Sequence, residues 1–166
     1  MTKNKKFKQG YYKPLNPEKY DGDVNNICAR SSWEFFIFKW LDLNSSVISW
    51  SSEPFSIQYQ GFDGKPHRYF PDILVKIRKK SMIKYIDDKT IGENESETFL
   101  IEIKPYSQTE EGYKPPKRIT EKNKRSVVEG ALEVEKNRRK WEAAKEFCRK
   151  NGMKFLVLTE KELFGK

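Results

Sequence analysis

The sequence predicts an α/β fold, a mixed sheet flanked by helices, with the core order helix, three strands joined by hairpin connections, helix, strand. Three observations carry this. From Ser31 to Leu43, Trp33, Phe36, Ile37, Trp40 and Leu41 recur at helical spacing. Between residues 47 and 104 lie short runs with the two-residue alternation or apolar density of strands. A long amphipathic stretch, residues 126–151, then leads into the apolar run from Met153 to Leu158.

The 166 residues suit one domain with a real core. Only 36% are apolar and 34% are charged, but 11 Phe, 8 Tyr and 4 Trp each bury a large area. The formal charge of +9 suits polyanions, nucleic acid first. A membrane role is not expected: no apolar run reaches about 18 residues, and the basic N-terminus lacks a signal-peptide core. Cys28 and Cys148 lie far apart and His67 is the one histidine, which excludes the familiar Cys/His zinc spacings and fits free thiols in a reducing compartment. Acid–base chemistry must then come from carboxylates, lysine and metal-bound water.

Residues 1–23 read as a basic arm, kept from helix by Pro14 and Pro17 and either a solvated tail or a flexible segment lying on nucleic acid, ahead of a single domain spanning 24–166. Ser31-Ser32-Trp33-Glu34 has the form of a capping box, so Glu34 either caps the helix or points from the edge of the apolar stripe toward a site. Val47 to Trp50 and Phe55 to Gln60 are short strands, and Asp63-Gly64 supplies a tight turn. The next strand runs from His67 to Arg78, with Tyr69, Ile73, Val75 and Ile77 on one face and Phe70, Asp72 and Leu74 on the other. Residues 79–98 form a polar hairpin extension with solvated acids, and Phe99 to Lys104 is the central strand, ended by Pro105.

Residues 106–125 make a basic, proline-stiffened loop carrying Lys114, Lys117, Arg118, Lys122, Lys124 and Arg125. It is either a solvated surface loop or a grip on a phosphate backbone. Val127, Ala131, Val134, Trp141, Ala144 and Cys148 mark the buried stripe of the following helix. Asn137 falls on that stripe, as a core amide or facing a site, with Lys140 beside it. Met153 to Leu158 reads as a fully buried strand, and Thr159-x-x-Glu162 caps a last helical turn.

The chemistry concentrates between Arg68 and Pro105. In a strand, side chains two apart share a face, so Glu102 and Lys104 project together. If the two strands are neighbours, Asp72 joins them. Two carboxylates and an ammonium on an apolar scaffold can hold a divalent cation against a phosphodiester and handle a water beside it. The plainer alternative is a surface ion pair. The upstream Pro71-Asp72, the spacing and the long helix favour the site.

Helix Glu, then Pro-Asp, Glu-x-Lys, a helix and a buried strand resembles the PD-(D/E)xK nuclease superfamily. More narrowly, the chain resembles the head completion nucleases of T-even-type bacteriophages. The resemblance rests on Arg30-Ser31-Ser32-Trp33-Glu34, Ser49-Trp50-Ser51-Ser52-Glu53, His67-Arg68-Tyr69-Phe70-Pro71-Asp72, Ile101-Glu102-Ile103-Lys104-Pro105 and Asn137-Arg138-Arg139-Lys140-Trp141. It implies a restriction-endonuclease-like αβββαβ core. It further implies DNA cleavage with magnesium, for which manganese should substitute, late in assembly where filled heads meet tails. The expected metal ligands are Asp72, Glu102 and the Ile103 carbonyl, with Lys104 orienting water or stabilising the phosphate and Glu34 as auxiliary acid. Gln108 matches a polar position that follows the lysine and would touch the scissile phosphate; the basic loop and Lys140 would bind DNA. Portal or neck proteins are the implied partners, and host cytoplasm and the virion's head–neck vertex the implied locations. The rival expectations are a non-catalytic DNA-end-binding or neck-joining protein, and a transposon-type endonuclease.

Overall fold

The computed structural model describes residues 9–79 and 96–165. Residues 1–8 of the basic arm, residues 80–95 of the hairpin extension and Lys166 lie outside the described residues.

Helix α1 spans Ser32–Leu43, opened by the Ser31 hydroxyl accepting the Glu34 N–H. Strand β3, Val47–Ser52, leads into a ribbon of β4, Ile57–Gln60, and β5, Pro66–Tyr69. Gly64 turns this ribbon at φ 71°, a conformation that glycine adopts without strain. Strands β6, Ile73–Arg78, and β7, Ser96–Ile103, follow. Helix α2, Glu121–Lys150, then crosses back to β8, Lys154–Leu158, and α3, Glu160–Phe164, closes the described chain. The central sheet has the order β3-β6-β7-β8, antiparallel except for the β7–β8 pair. The αβββαβ order is therefore present, as α1, β3, β6, β7, α2, β8.

Strand alternation distributes the core over both sheet faces. Ile73, Val75, Ile77, Phe99, Ile101 and Ile103 pack with Ile37, Phe38 and Leu41 of α1 and with Trp50. Leu100 goes the other way, packing with Ala144 and Cys148 of α2 and with Ile57 and Tyr69 of the ribbon. Both cysteines are free thiols, Cys148 buried and Cys28 half-buried.

Five expectations are corrected. The run expected as one strand from His67 to Arg78 is two, because Pro71 offers no N–H to a ladder and the chain turns there. Tyr69 therefore packs on the α2 face, opposite Ile73. The strand expected from Phe55 to Gln60 starts two residues later, at Ile57, and pairs with β5 in the ribbon. Helix α2 starts at Glu121, so Lys122, Lys124 and Arg125 are helical; its box uses Thr120 with Asn123 where Glu or Gln is usual. Strand β8 is a half-buried edge, not a fully buried strand.

The fifth correction concerns residues 9–23, which are fastened to the fold. Strand β1, Gly10–Tyr11, pairs with β2, Cys28–Ala29. Asp42, 0% exposed, is the anchor. It accepts the Leu15 N–H at 2.7 Å, the Asn16 N–H at 2.8 Å and the Tyr12 hydroxyl at 2.7 Å. Burial works to raise its pKa, but the bonds from Leu15, Tyr12 and Asn16 outweigh it and leave Asp42 below the usual carboxylate range. Asp42→Ala strands those donors, so unfolding should show a loss of about 3–5 kcal/mol. Because the folded pKa is depressed, this stabilisation is present above the unfolded value and fades as pH falls through the folded one. Thermal melts from pH 7 down to pH 3 check both points.

Candidate active site

Strands β6 and β7 bring the candidate residues together near the end of β7. Asp72 lies just before β6 and Glu102 one residue before the end of β7, so the β6–β7 register brings the two carboxylates together. Asp72 Oδ2 accepts the Ile103 N–H at 2.6 Å. A strand residue's N–H and C=O leave the same edge, so the Ile103 carbonyl also faces the Asp72 side. Among the described residues Asp72 Oδ1 has no hydrogen-bond or ion-pair partner. Glu102 is 2% exposed. Its Oε2 accepts the Tyr69 hydroxyl at 2.7 Å, and its Oε1 stands 3.4 Å from Lys104 Nζ.

Burial, and then the charge of Glu102, push the Asp72 carboxyl up to about 8, against the pull of the Ile103 N–H and Lys104. Tyr69, buried and facing Glu102, is pushed far above the usual phenol range, so it stays a donor.

Glu34 makes the cap: its Oε1 accepts the Ser31 hydroxyl at 2.9 Å and its Oε2 the Arg30 N–H at 3.0 Å. Its charge still reaches Asp72 and raises it further. Among the described residues no three His, Cys, Asp or Glu side chains converge as a metal-holding group. Glu53 borders the site at φ 45°, a strained conformation for a side-chain-bearing residue. Its N–H donates to the Asp72 carbonyl at 2.9 Å while Arg30 holds its carboxylate at 2.6 Å.

The long helix supplies the remaining wall. Asn137 is fully buried and its Nδ2 donates to the Gln108 carbonyl at 3.2 Å, fixing the 3₁₀ turn Tyr106–Gln108 just past Lys104. One turn on, Lys140 Nζ lies 5.5 Å from the centre of the Tyr69 ring. Lys114, Lys117 and Arg118 are exposed on the loop before α2, and Lys124 and Arg125 engage Glu121 and Glu129 on the helix surface. The loop and first helical turns are thus basic, but no bond ties them to the carboxylates.

The sequence is similar to known proteins. The model of the TnsA-like endonuclease N-terminal domain matches residues 44–160. The chain belongs to this endonuclease family. It is also 38% identical over 152 residues to the head completion nuclease of Enterobacteria phage T4, spanning 91% of this chain and 90% of that one. The protein is a nuclease, and the mixed sheet between helices is consistent with the family's fold.

Tyr69 is the residue this nuclease's sequence concealed. Simple alternation through Pro71 assigns it to the opposite face; the proline was the available signal that the alternation resets. If Glu102 ligates a metal, Tyr69→Phe should slow cleavage about 10–100-fold, as loss of a group orienting a ligand does. It should also destabilise the fold by about 1–3 kcal/mol, since a buried Glu102 oxygen loses its donor. Single-turnover cleavage and a thermal melt of the same preparation check the pair of effects.

Proposed function

We propose that this protein is a divalent-metal-dependent DNA nuclease of low sequence specificity that acts in phage head completion, cutting or trimming DNA at the head vertex before head and tail join. The observation that carries it is the convergence of Asp72, Glu102 and Lys104 at the end of one strand, within a chain similar along most of its length to a head completion nuclease.

The donor set fits a hard cation: an unengaged carboxylate oxygen on Asp72, the buried Glu102 carboxylate and a backbone carbonyl at Ile103. Magnesium suits two carboxylates that leave other positions to water and phosphate, and manganese should replace it. When bound, the cation neutralises phosphodiester oxygens and activates a water for attack. The chain's own groups do the rest. The Ile103 N–H fixes the Asp72 carboxylate and the Tyr69 hydroxyl fixes Glu102. Lys104, paired to Glu102 on one side and partly open on the other, is a preplaced cation for charge that grows on the phosphate. Glu34 acts as an auxiliary acid through its charge on Asp72.

Gln108, Lys114, Lys117, Arg118, Lys122, Lys124, Arg125 and Lys140 form the DNA-facing surface. Apart from Gln108 they contact phosphates and read no bases, so binding is steeply salt-dependent and weakly sequence-dependent. Portal or neck proteins would receive the nuclease, placing it in the host cytoplasm during assembly and then at the virion's head–neck vertex. Among the described residues no helix is long and apolar enough to cross a membrane.

The test is incubation of linear and circular DNA with magnesium, manganese or EDTA. Cutting in either metal that EDTA stops, with products spread over many sequences, is the expected result. Tight DNA binding without cutting in any metal would favour a structural DNA-end-binding or neck-joining protein.

A further inference from the structure

Lys140 differs from Lys136, Arg138 and Arg139, the cations beside it on α2. Lys136 pairs with Glu133, Arg138 with Glu135 and Glu142, and Arg139 with Glu135 and the Phe62 ring. Among the described residues no carboxylate comes within ion-pair distance of Lys140, although its side chain is half-buried. Instead its ammonium stands over the ring of Tyr69, whose hydroxyl holds Glu102. Burial first, and then the charges of Lys136 and Lys104, pull its pKa below the usual lysine range, while Glu102 and Glu133 oppose them. Lys140 thus belongs electrostatically to the Glu102–Lys104 cluster.

A half-buried cation without a counter-ion is costly to keep, unless an anion arrives in the working state. The charge count identifies that anion. Asp72 and Glu102 supply two negative charges when ionised, and Lys104 and Lys140 two positive ones. A divalent cation makes the cluster positive, which suits a phosphodiester. The helix is also fixed at this point, because Asn137, three residues earlier, is tied to the Gln108 turn that follows Lys104.

We propose that Lys140 is a catalytic residue: with Lys104 it flanks the scissile phosphate, and its ammonium contacts the phosphate's oxygens as negative charge builds on the leaving side. This rests on the nuclease site proposed above and gives Lys140 a role apart from the backbone-gripping lysines of the preceding loop. The reaction is hydrolysis: water adds to phosphorus, the P–O bond to the leaving sugar oxygen breaks, and water's protons are shared between that oxygen and solvent.

The experiment compares wild type, Lys140→Met, Lys140→Arg and Glu102→Gln. It measures single-turnover cleavage of a duplex oligonucleotide at saturating enzyme in magnesium, and DNA affinity by anisotropy in calcium. Methionine keeps an apolar stem over Tyr69, and a thermal melt of each variant verifies folding. Lys140→Met should lose about 100-fold in the saturated rate. Its affinity should stay within about threefold, one phosphate contact among many. Lys140→Arg should recover part of the rate. An unchanged saturated rate in Lys140→Met, or a loss confined to affinity, overturns the assignment. If Glu102→Gln is inactive in that experiment, the site itself stands and only the role of Lys140 fails. If Glu102→Gln cuts like wild type, both readings fall.

Discussion

Glu102→Gln is expected to remove DNA cleavage, with a loss of about 1,000-fold or more in rate, while leaving the protein folded. The substitution is nearly isosteric, so the amide oxygen can still accept the Tyr69 hydroxyl that now lies at 2.7 Å. What disappears is the charge. A neutral amide is a poor ligand for a hard cation, and Lys104, now 3.4 Å from Oε1, loses the carboxylate that orients it. Both effects bear on the charge that develops at the phosphate, where such losses are largest: a thousandfold corresponds to about 4 kcal/mol of barrier. Cleavage of supercoiled DNA followed over hours, with a circular dichroism spectrum of the same sample, gives the answer. Retention of more than a tenth of the wild-type rate would place the chemistry elsewhere.

Asp72→Asn should separate stability from activity in opposite directions. Wild type keeps two carboxylates close together at the end of β7, one of them raised by burial and by the other's charge. An asparagine oxygen can still accept the Ile103 N–H, so the local geometry survives while the repulsion is gone. Without metal the variant should be more stable by about 1–3 kcal/mol near neutral pH, a rise of several degrees in a chain of this size. Sign and window follow from the raised folded pKa. The penalty is absent below the ordinary carboxylate range, grows as pH rises through it, and is complete above about 8. Cleavage should fall by at least 1,000-fold in the same variant. Magnesium should raise the melting temperature of wild type but not of the variant, because a ligand stabilises only the form that binds it. Melts with and without magnesium between pH 5 and pH 9 test every part. A destabilised variant that still responds to magnesium would contradict the account.

That Asp72, Glu102 and Lys104 stand together was legible because their geometry follows from two local rules. The two-residue period of a strand puts Glu102 and Lys104 together, and neighbouring antiparallel strands bring Asp72 to them. The helix start was equally readable, since Ser31 and Glu34 are three residues apart and cap each other. What could not be read depends on contacts distant in sequence. Asp42 looks like a solvent-facing acid in the last turn of α1, but the returning segment at Tyr12 to Asn16 encloses it. That enclosure also explains why residues 9–23 of a lysine-rich, proline-containing lead-in are fastened to the fold. Lys140 looked like one of many cations on α2. Its distinction, a half-buried ammonium over an aromatic ring with no acid at ion-pair distance among the described residues, emerges when the helix is laid across Tyr69. The early start of α2 was hidden by an asparagine doing the work of the usual glutamate in the capping box.

The central claim is that Asp72 and Glu102 hold the metal that cleavage requires. The most direct measurement is anomalous scattering from crystals of the wild-type protein soaked in manganese. The account predicts a dominant peak about 2.2 Å from carboxylate oxygens of both residues, on the side of the Ile103 carbonyl. A dominant peak elsewhere, with none between Asp72 and Glu102, in protein that cuts DNA in manganese, would contradict it.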